Sequence, residues 1–120
     1  MKQAWEWPAS YVLRVIDGDT VVARLTRDLG FHGIATFEQR LRLNRINAKA
    51  KNTPDGQRAS ARLEELIVGY PLFITTVAPY KYGDEWMAEI RLPEGPNVAD
   101  VLVSEGLAAY WTGRGAKPNE

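Results

Sequence analysis

Tyr11-Val-Leu-Arg-Val-Ile-Asp-Gly-Asp-Thr-Val-Val-Ala-Arg-Leu25 is the stretch that decides the fold. Asp17-Gly18-Asp19 separates two runs rich in β-branched residues, and Asp-Gly in that setting is a strong hairpin signal. A polar, glycine-bearing stretch from Thr26 to Gly33 delays a third strand, expected over Ala35–Leu43. Its alternation puts Phe37, Gln39, Leu41 and Leu43 on one face and Thr36, Glu38, Arg40 and Arg42 on the other. Asn44–Gly56 has loop composition, with Pro54 and Asp55 suited to a turn into a helix. Gln57–Val68 is the best helix: Ala59, Leu63, Leu66 and Ile67 form one apolar stripe, and Gly69 follows as a stop. Leu72–Val77 and Trp86–Leu92 read as strands, and Val98–Glu105 as a short helix with Val98, Val101 and Leu102 inward. Three strands, a helix, two strands and a helix imply a mainly β, α+β protein. The architecture expected is a five-stranded OB-fold barrel with two or three helices. A single domain is expected over 1–111, with a flexible polar tail over 112–120.

Composition narrows the functions open to such a barrel. The 120 residues carry 15 basic and 15 acidic side chains, so the net charge is zero. A coat for duplex DNA draws its affinity from excess positive charge, which is missing here. An anionic partner must therefore be met by a local cluster. The chain has no cysteine and one histidine, His32, which excludes disulfides, thiolate metal sites and His-rich zinc sites. No apolar run approaches the ~18 residues of a membrane span, and no signal peptide opens the chain, so a cytoplasmic protein without a membrane partner is the default expectation.

Four motifs in order resemble the staphylococcal nuclease-like family. Val15-Ile-Asp-Gly-Asp-Thr20 resembles its first-hairpin signature. Arg42-Leu43 with Ile46-Asn47-Ala48 resembles its Arg-Leu…Ile-Asp-Ala-Pro-Glu segment. Lys81-Tyr82-Gly83 matches its Lys-Tyr-Gly-Arg motif as far as the glycine. Ala99…Leu102-Val103…Gly106-Leu107-Ala108 resembles its late helix. The compact chain and the Asp28-Leu-Gly-Phe31 loop look like the phage-borne branch. Together the likeness spans Tyr11 to Trp111 and implies the staphylococcal nuclease-like form of the OB-fold.

The resemblance implies calcium-dependent phosphodiester hydrolysis only if the charged positions are kept, and most are not. Asp19 stands at the first metal position, a weak metal candidate, and Arg42 at the first arginine. They are the only family catalytic positions retained. Asn47 replaces the second metal carboxylate, Ala50 the glutamate base, Lys49 the proline between them and Asp84 the second arginine. Calcium affinity follows the number of carboxylates, and losing a general base costs ~10²–10⁴ in rate. No cofactor is expected, therefore, unless the protein is an enzyme after all, in which case calcium (Ca2+) is.

Binding without cleavage is the function that remains. Arg40, Arg42, Arg45, Lys49 and Lys51 crowd one stretch without an acidic residue. Arg42, Arg45, Asn47 and Lys49 are the expected phosphate ligands. By resemblance, Lys81 and Tyr82 meet a terminal phosphate, and Tyr110 or Trp111 stacks on a base. The expected partner is a phosphorylated nucleotide or short oligonucleotide, cyclic ones included, held as a viral anti-defence sponge would hold a host signal. Two further readings stand beside it. One is an active metal-dependent nuclease or phosphodiesterase with carboxylates relocated around Asp19, from Asp55, Glu38 or Glu85. The other is a protein-interaction module using the apolar Leu29–Ile34 loop as a lid or subunit contact, which would suit a homo-oligomer. The blander alternatives also stay open. Asp17-Gly-Asp19 reads equally as a simple turn, the basic stretch as a solvated face, and Tyr80 and Tyr82 as barrel-rim aromatics. Trp5, Trp7 and Trp86 read as packing residues, and His32 as a loop histidine.

Overall fold

The structure, a computed structural model, describes residues 4–80, 83–93 and 95–111. β1 (Trp5–Asp17) and β2 (Thr20–Asp28) form the hairpin, followed by β3 (Ile34–Leu43) and the short β4 (Ile46–Ala48). Then come α1 (Pro54–Ile67), β5 (Leu72–Pro79), β6 (Trp86–Arg91), α2 (Val98–Ser104) and β7 (Ala108–Tyr110). Five strands close into a barrel in the order β1-β2-β3-β6-β5, and β4 pairs with β7 in a separate two-stranded sheet. The architecture is that of an OB-like α+β barrel. The expected tail, 112–120, lies outside the described residues. Among the described residues no helix is long and apolar enough to cross a membrane.

β1 begins six residues before the expected start at Tyr11 because it serves two partners. Trp5–Ser10 pairs with β5 and Tyr11–Asp17 with β2, with a register shift between Trp7 and Ser10. Pro8 falls within that irregularity, where a residue unable to donate to a ladder is tolerated. β2 also outruns expectation: it continues to Asp28 and turns into β3 through a short 3-10 turn at Gly30–His32. Thr26–Asp28 is therefore strand, and Leu29–Ile34 is the tip of a projecting two-stranded arm.

Helix α1 starts at Pro54 instead of Gln57. The Thr53 hydroxyl accepts a hydrogen bond from the Gly56 amide at 3.0 Å, and Pro54 takes the first turn, where its missing N–H costs nothing. The expected stripe holds, with Ala59, Leu63 and Ile67 buried and Leu66 half-buried. Gly69 adopts φ 108°, a left-handed value that ends the helix cheaply. In α2 the inward residues are Val98, Ala99 and Leu102, with Val101 only partly buried. Leu41, Leu43, Ile46, Leu63, Ile67, Ile74, Ile90 and Leu102 fill the centre, joining barrel and helices in one core.

The Asp17-Gly18-Asp19 turn is buried beneath this helix rather than exposed. A Cβ on Gly18 would stand 2.7 Å from Ala59 Cβ and 2.9 Å from Ala48 Cβ. The glycine thus lets α1 and β4 close on the hairpin. Of the tryptophans, Trp7 and Trp86 pack as expected. Trp5 does not: it is 45% exposed beneath the Arg27 guanidinium. Gly18→Ala should lower stability by ~1–3 kcal/mol through overpacking, measured by urea unfolding. A loss under ~0.5 kcal/mol, the scale of an ordinary surface change, would contradict this contact.

Candidate functional site

β2, β3 and β4 converge at the end of the barrel on the Asp19 carboxylate, which is 4% exposed. Oδ2 accepts from the Ala48 amide at 2.9 Å. Oδ1 accepts from the Thr20 hydroxyl at 3.0 Å and pairs with Arg42 Nη1 at 3.3 Å. The Asp19 carbonyl takes the Leu43 amide at 2.8 Å. Arg42, 9% exposed, reaches Asp19 because β3 pairs with β2 in a register that sets Arg42 opposite Thr20.

The Arg42 guanidinium carbon lies 4.8 Å from the Tyr80 ring centroid and 6.0 Å from that of Trp111. Its second terminal nitrogen, Nη2, is buried with no hydrogen-bond partner among the described residues. A buried donor left unmade costs ~1–3 kcal/mol, more when charged. The two rings, Arg42, Arg45 and Ile46 are among the residues that line a notch of about 20 Å³, room for roughly one water. Asn47 is buried on β4, opposite Ala109 of β7.

The remaining cations of the basic stretch are spread out, and the two arginines among them are paired. Arg40 meets Glu85 at 3.3 Å. Arg45, at φ 72°, meets Asp100 at 3.4 Å and Glu89 at 3.6 Å, and lies over the Tyr110 ring. The Tyr110 hydroxyl donates to Asp100 at 2.7 Å; that bond, then Arg45, holds the Asp100 carboxyl below its usual range. Lys49 lines a different hollow of about 210 Å³ with Asp55, Arg58 and 106–109. Arg42 and Trp111 therefore come together, Arg45 and Tyr110 form an exposed neighbour pair, and Lys49 stands apart. Lys81 and Tyr82 lie outside the described residues. Ala50 and Asp84 are exposed.

Calcium does not fit this corner. Both Asp19 oxygens already serve protein donors, and a cation there would face the Arg42 charge. The candidate replacement carboxylates are engaged elsewhere: Glu38 with Arg24 at 3.4 Å, Glu85 with Arg40, and Asp55 with Arg58. Among the described residues no group of three or more Asp, Glu, His or Cys side chains gathers as a metal site.

Asp17 and Tyr80 are the site residues that sequence reasoning undervalued. Asp17 Oδ1 is buried without a hydrogen-bond partner among the described residues. Burial, then the neighbouring Asp19 charge, pushes its carboxyl up, against opposing pulls from Lys51, Arg42 and Arg40. Two carboxylates flanking one glycine was the available signal. Neither a protein-family model nor a curated protein matches this chain.

Two outcomes follow from this geometry. Asp19→Ala leaves a buried guanidinium uncompensated and should cost about 3–5 kcal/mol in chemical denaturation. Asp17 has the opposite sign. Its raised folded-state pKa means ionisation opposes folding, a penalty present in full above the folded pKa and absent below the unfolded one. Asp17→Asn should therefore raise the unfolding temperature at pH 7, and the gain should fade as pH falls through the acid range. A loss of stability at pH 7 would contradict it.

Proposed function

We propose that this chain is a nuclease-like barrel that binds a phosphorylated nucleotide or short oligonucleotide and does not cleave it. The observation that carries the reading is Arg42 Nη2: a buried, charged donor without a described partner, flanked by two aromatic rings. A phosphate oxygen is the acceptor that best suits it, because guanidinium–phosphate bonds are charge-assisted and directional. The rings beside it suit a nucleobase, where stacking contributes ~1–3 kcal/mol. The notch is small and Trp111 is among the residues that line it, so a nucleotide needs that side chain to move aside. Lys81 and Tyr82, which follow Tyr80 in the sequence, are candidates for further phosphate contacts on the family resemblance alone.

Resemblance to the staphylococcal nuclease-like family supports the same reading from a second direction. Asp19 and Arg42 keep their positions, while Asn47, Ala50 and Asp84 remove a metal carboxylate, the base and an arginine. Asp19 is spent on bracing Arg42 rather than on a metal. A barrel of this kind acts by holding its ligand, and sequestration of a host nucleotide signal by a viral protein is the biological form that fits.

Arg42→Lys tests the reading without removing the buried charge. It preserves an ion pair with Asp19 and deletes the spare nitrogen, so the stability loss should stay below about 3 kcal/mol. Native mass spectrometry with mono-, di- and cyclic nucleotides should show wild-type binding of an unchanged nucleotide, with calcium or with chelator. The variant should bind it roughly 10- to 100-fold more weakly, the size of one charge-assisted hydrogen bond. Product masses that appear only with calcium would establish an enzyme instead, and equal binding by the variant would remove Arg42 from the site.

A further inference from the structure

A hollow far larger than the Arg42 notch lies elsewhere on the barrel. It is an apolar groove of about 470 Å³ along the β2–β3 arm, lined among others by Trp5, Trp7, Leu25, Phe37 and Trp86. Its origin lies in strand periodicity. Residues two apart share a face, so Ala35, Phe37 and Gln39 continue the core face of Leu41 and Leu43 beyond the barrel. The inner face of the barrel thus runs out along the arm with nothing among the described residues closing over it. Of the seven large apolar side chains exposed among the described residues, Trp5, Leu29, Phe31, Ile34 and Phe37 belong to this end. Phe31, at the tip, is 102% exposed, and Ile34 is 67%.

The backbone of the arm is as incomplete as its side chains. β1 releases β2 after the pair Tyr11↔Arg24, and β6 meets β3 only at Leu41–Leu43. Among the described residues, the outer edge of β3 from Ile34 to Arg40 therefore pairs with no strand. Its ladder to β2 is regular from Ile34 to Arg42, without a bulge or proline to spoil the edge. Its charges give little protection either, since Glu38 is engaged by Arg24 and Arg40 by Glu85. A long, regular, apolar edge is a template for a further strand.

We propose that the arm is a homodimer interface, in which a second copy of this chain adds its own β3 edge antiparallel to the first. Such a contact is isologous, so a single patch must carry both the projection and the recess. This arm carries both: the Phe31 tip and the groove. The free edge has Phe37 at its midpoint. Pairing there sets Phe37 against its own copy and Ile34 opposite the second copy's Arg40. The Phe31 tip is then directed toward the end of the second copy's groove where Trp86 stands. Zero net charge removes the long-range repulsion that keeps many small proteins apart. The chain's own tail is a poor alternative filler, because 112–120 contains no large apolar residue.

Sedimentation equilibrium over a wide concentration range tests the interface, with hydrogen exchange read on the same samples. Wild-type protein should sediment at twice the monomer mass, with the β3 amides of 34–40 gaining protection as concentration rises. The double variant Phe31→Asp, Ile34→Lys should raise the dimer dissociation constant roughly tenfold or more. Both side chains are exposed, so its circular dichroism should match wild type, as should its unfolding temperature at dilutions where wild type is monomeric. Nucleotide binding by the variant should persist, which separates failure of the interface from failure of the Arg42 site. A wild-type monomer at the highest concentration, open-ended growth beyond two copies, or a variant as dimeric as wild type would overturn the proposal.

Discussion

A single buried carboxylate ties together the parts of this barrel that would otherwise have no reason to meet. Asp19 bonds to the Ala48 amide on β4, to the Thr20 hydroxyl on β2 and to the Arg42 guanidinium on β3, while its carbonyl takes the Leu43 amide. Each oxygen has protein donors at hydrogen-bonding or ion-pair distance, which is the condition under which a buried charge is tolerable. Gly18 lets α1 settle over the turn, and the burial that results is what pushes the Asp17 carboxyl up. Arg42 is fixed by the same pair and so is held between Tyr80 and Trp111 rather than reaching into solvent.

That brace has a chemical consequence. A carboxylate whose oxygens serve three protein groups is a poor ligand for a hard cation, and the adjoining guanidinium repels one. The residue that could anchor a metal instead orients an arginine. An oriented, desolvated arginine with a spare nitrogen is suited to an anion, and two flanking rings favour one that carries an aromatic group. Binding and structure are coupled here: the ion pair that stabilises the barrel also sets the direction of the proposed recognition group.

The barrel was legible from its local signals. Asp17-Gly18 announced the hairpin, and the spacing of Ala59, Leu63 and Ile67 announced the helix, because both patterns are short-range. β4 was not legible, since Ile46–Ala48 is three residues long and becomes a strand only by meeting Ala108–Tyr110 some sixty residues later. The arm was hidden for another reason: Thr26–Asp28 is polar because it leaves the barrel, and polarity reads as loop. The basic stretch from Arg40 to Lys51 was visible, but its neutralisation was not. Glu85, Glu89 and Asp100 are distant in sequence and reach Arg40 and Arg45 only in the folded chain. Arg42 could be singled out by its position near Asp19 in the motif pattern; its enclosure by Tyr80 and Trp111 could not.

The most direct test of the central claim is a heteronuclear NMR titration that follows the Arg42 side chain, the Trp111 indole, the Tyr80 ring and the Asp19 carboxyl together. A nucleotide should shift Arg42, Tyr80 and Trp111, and calcium alone should leave the Asp19 carboxyl where it was. Calcium-dependent movement of Asp19, or nucleotide shifts confined to other surfaces, would contradict the claim that Asp19 serves as a brace and Arg42 as the anion-binding group.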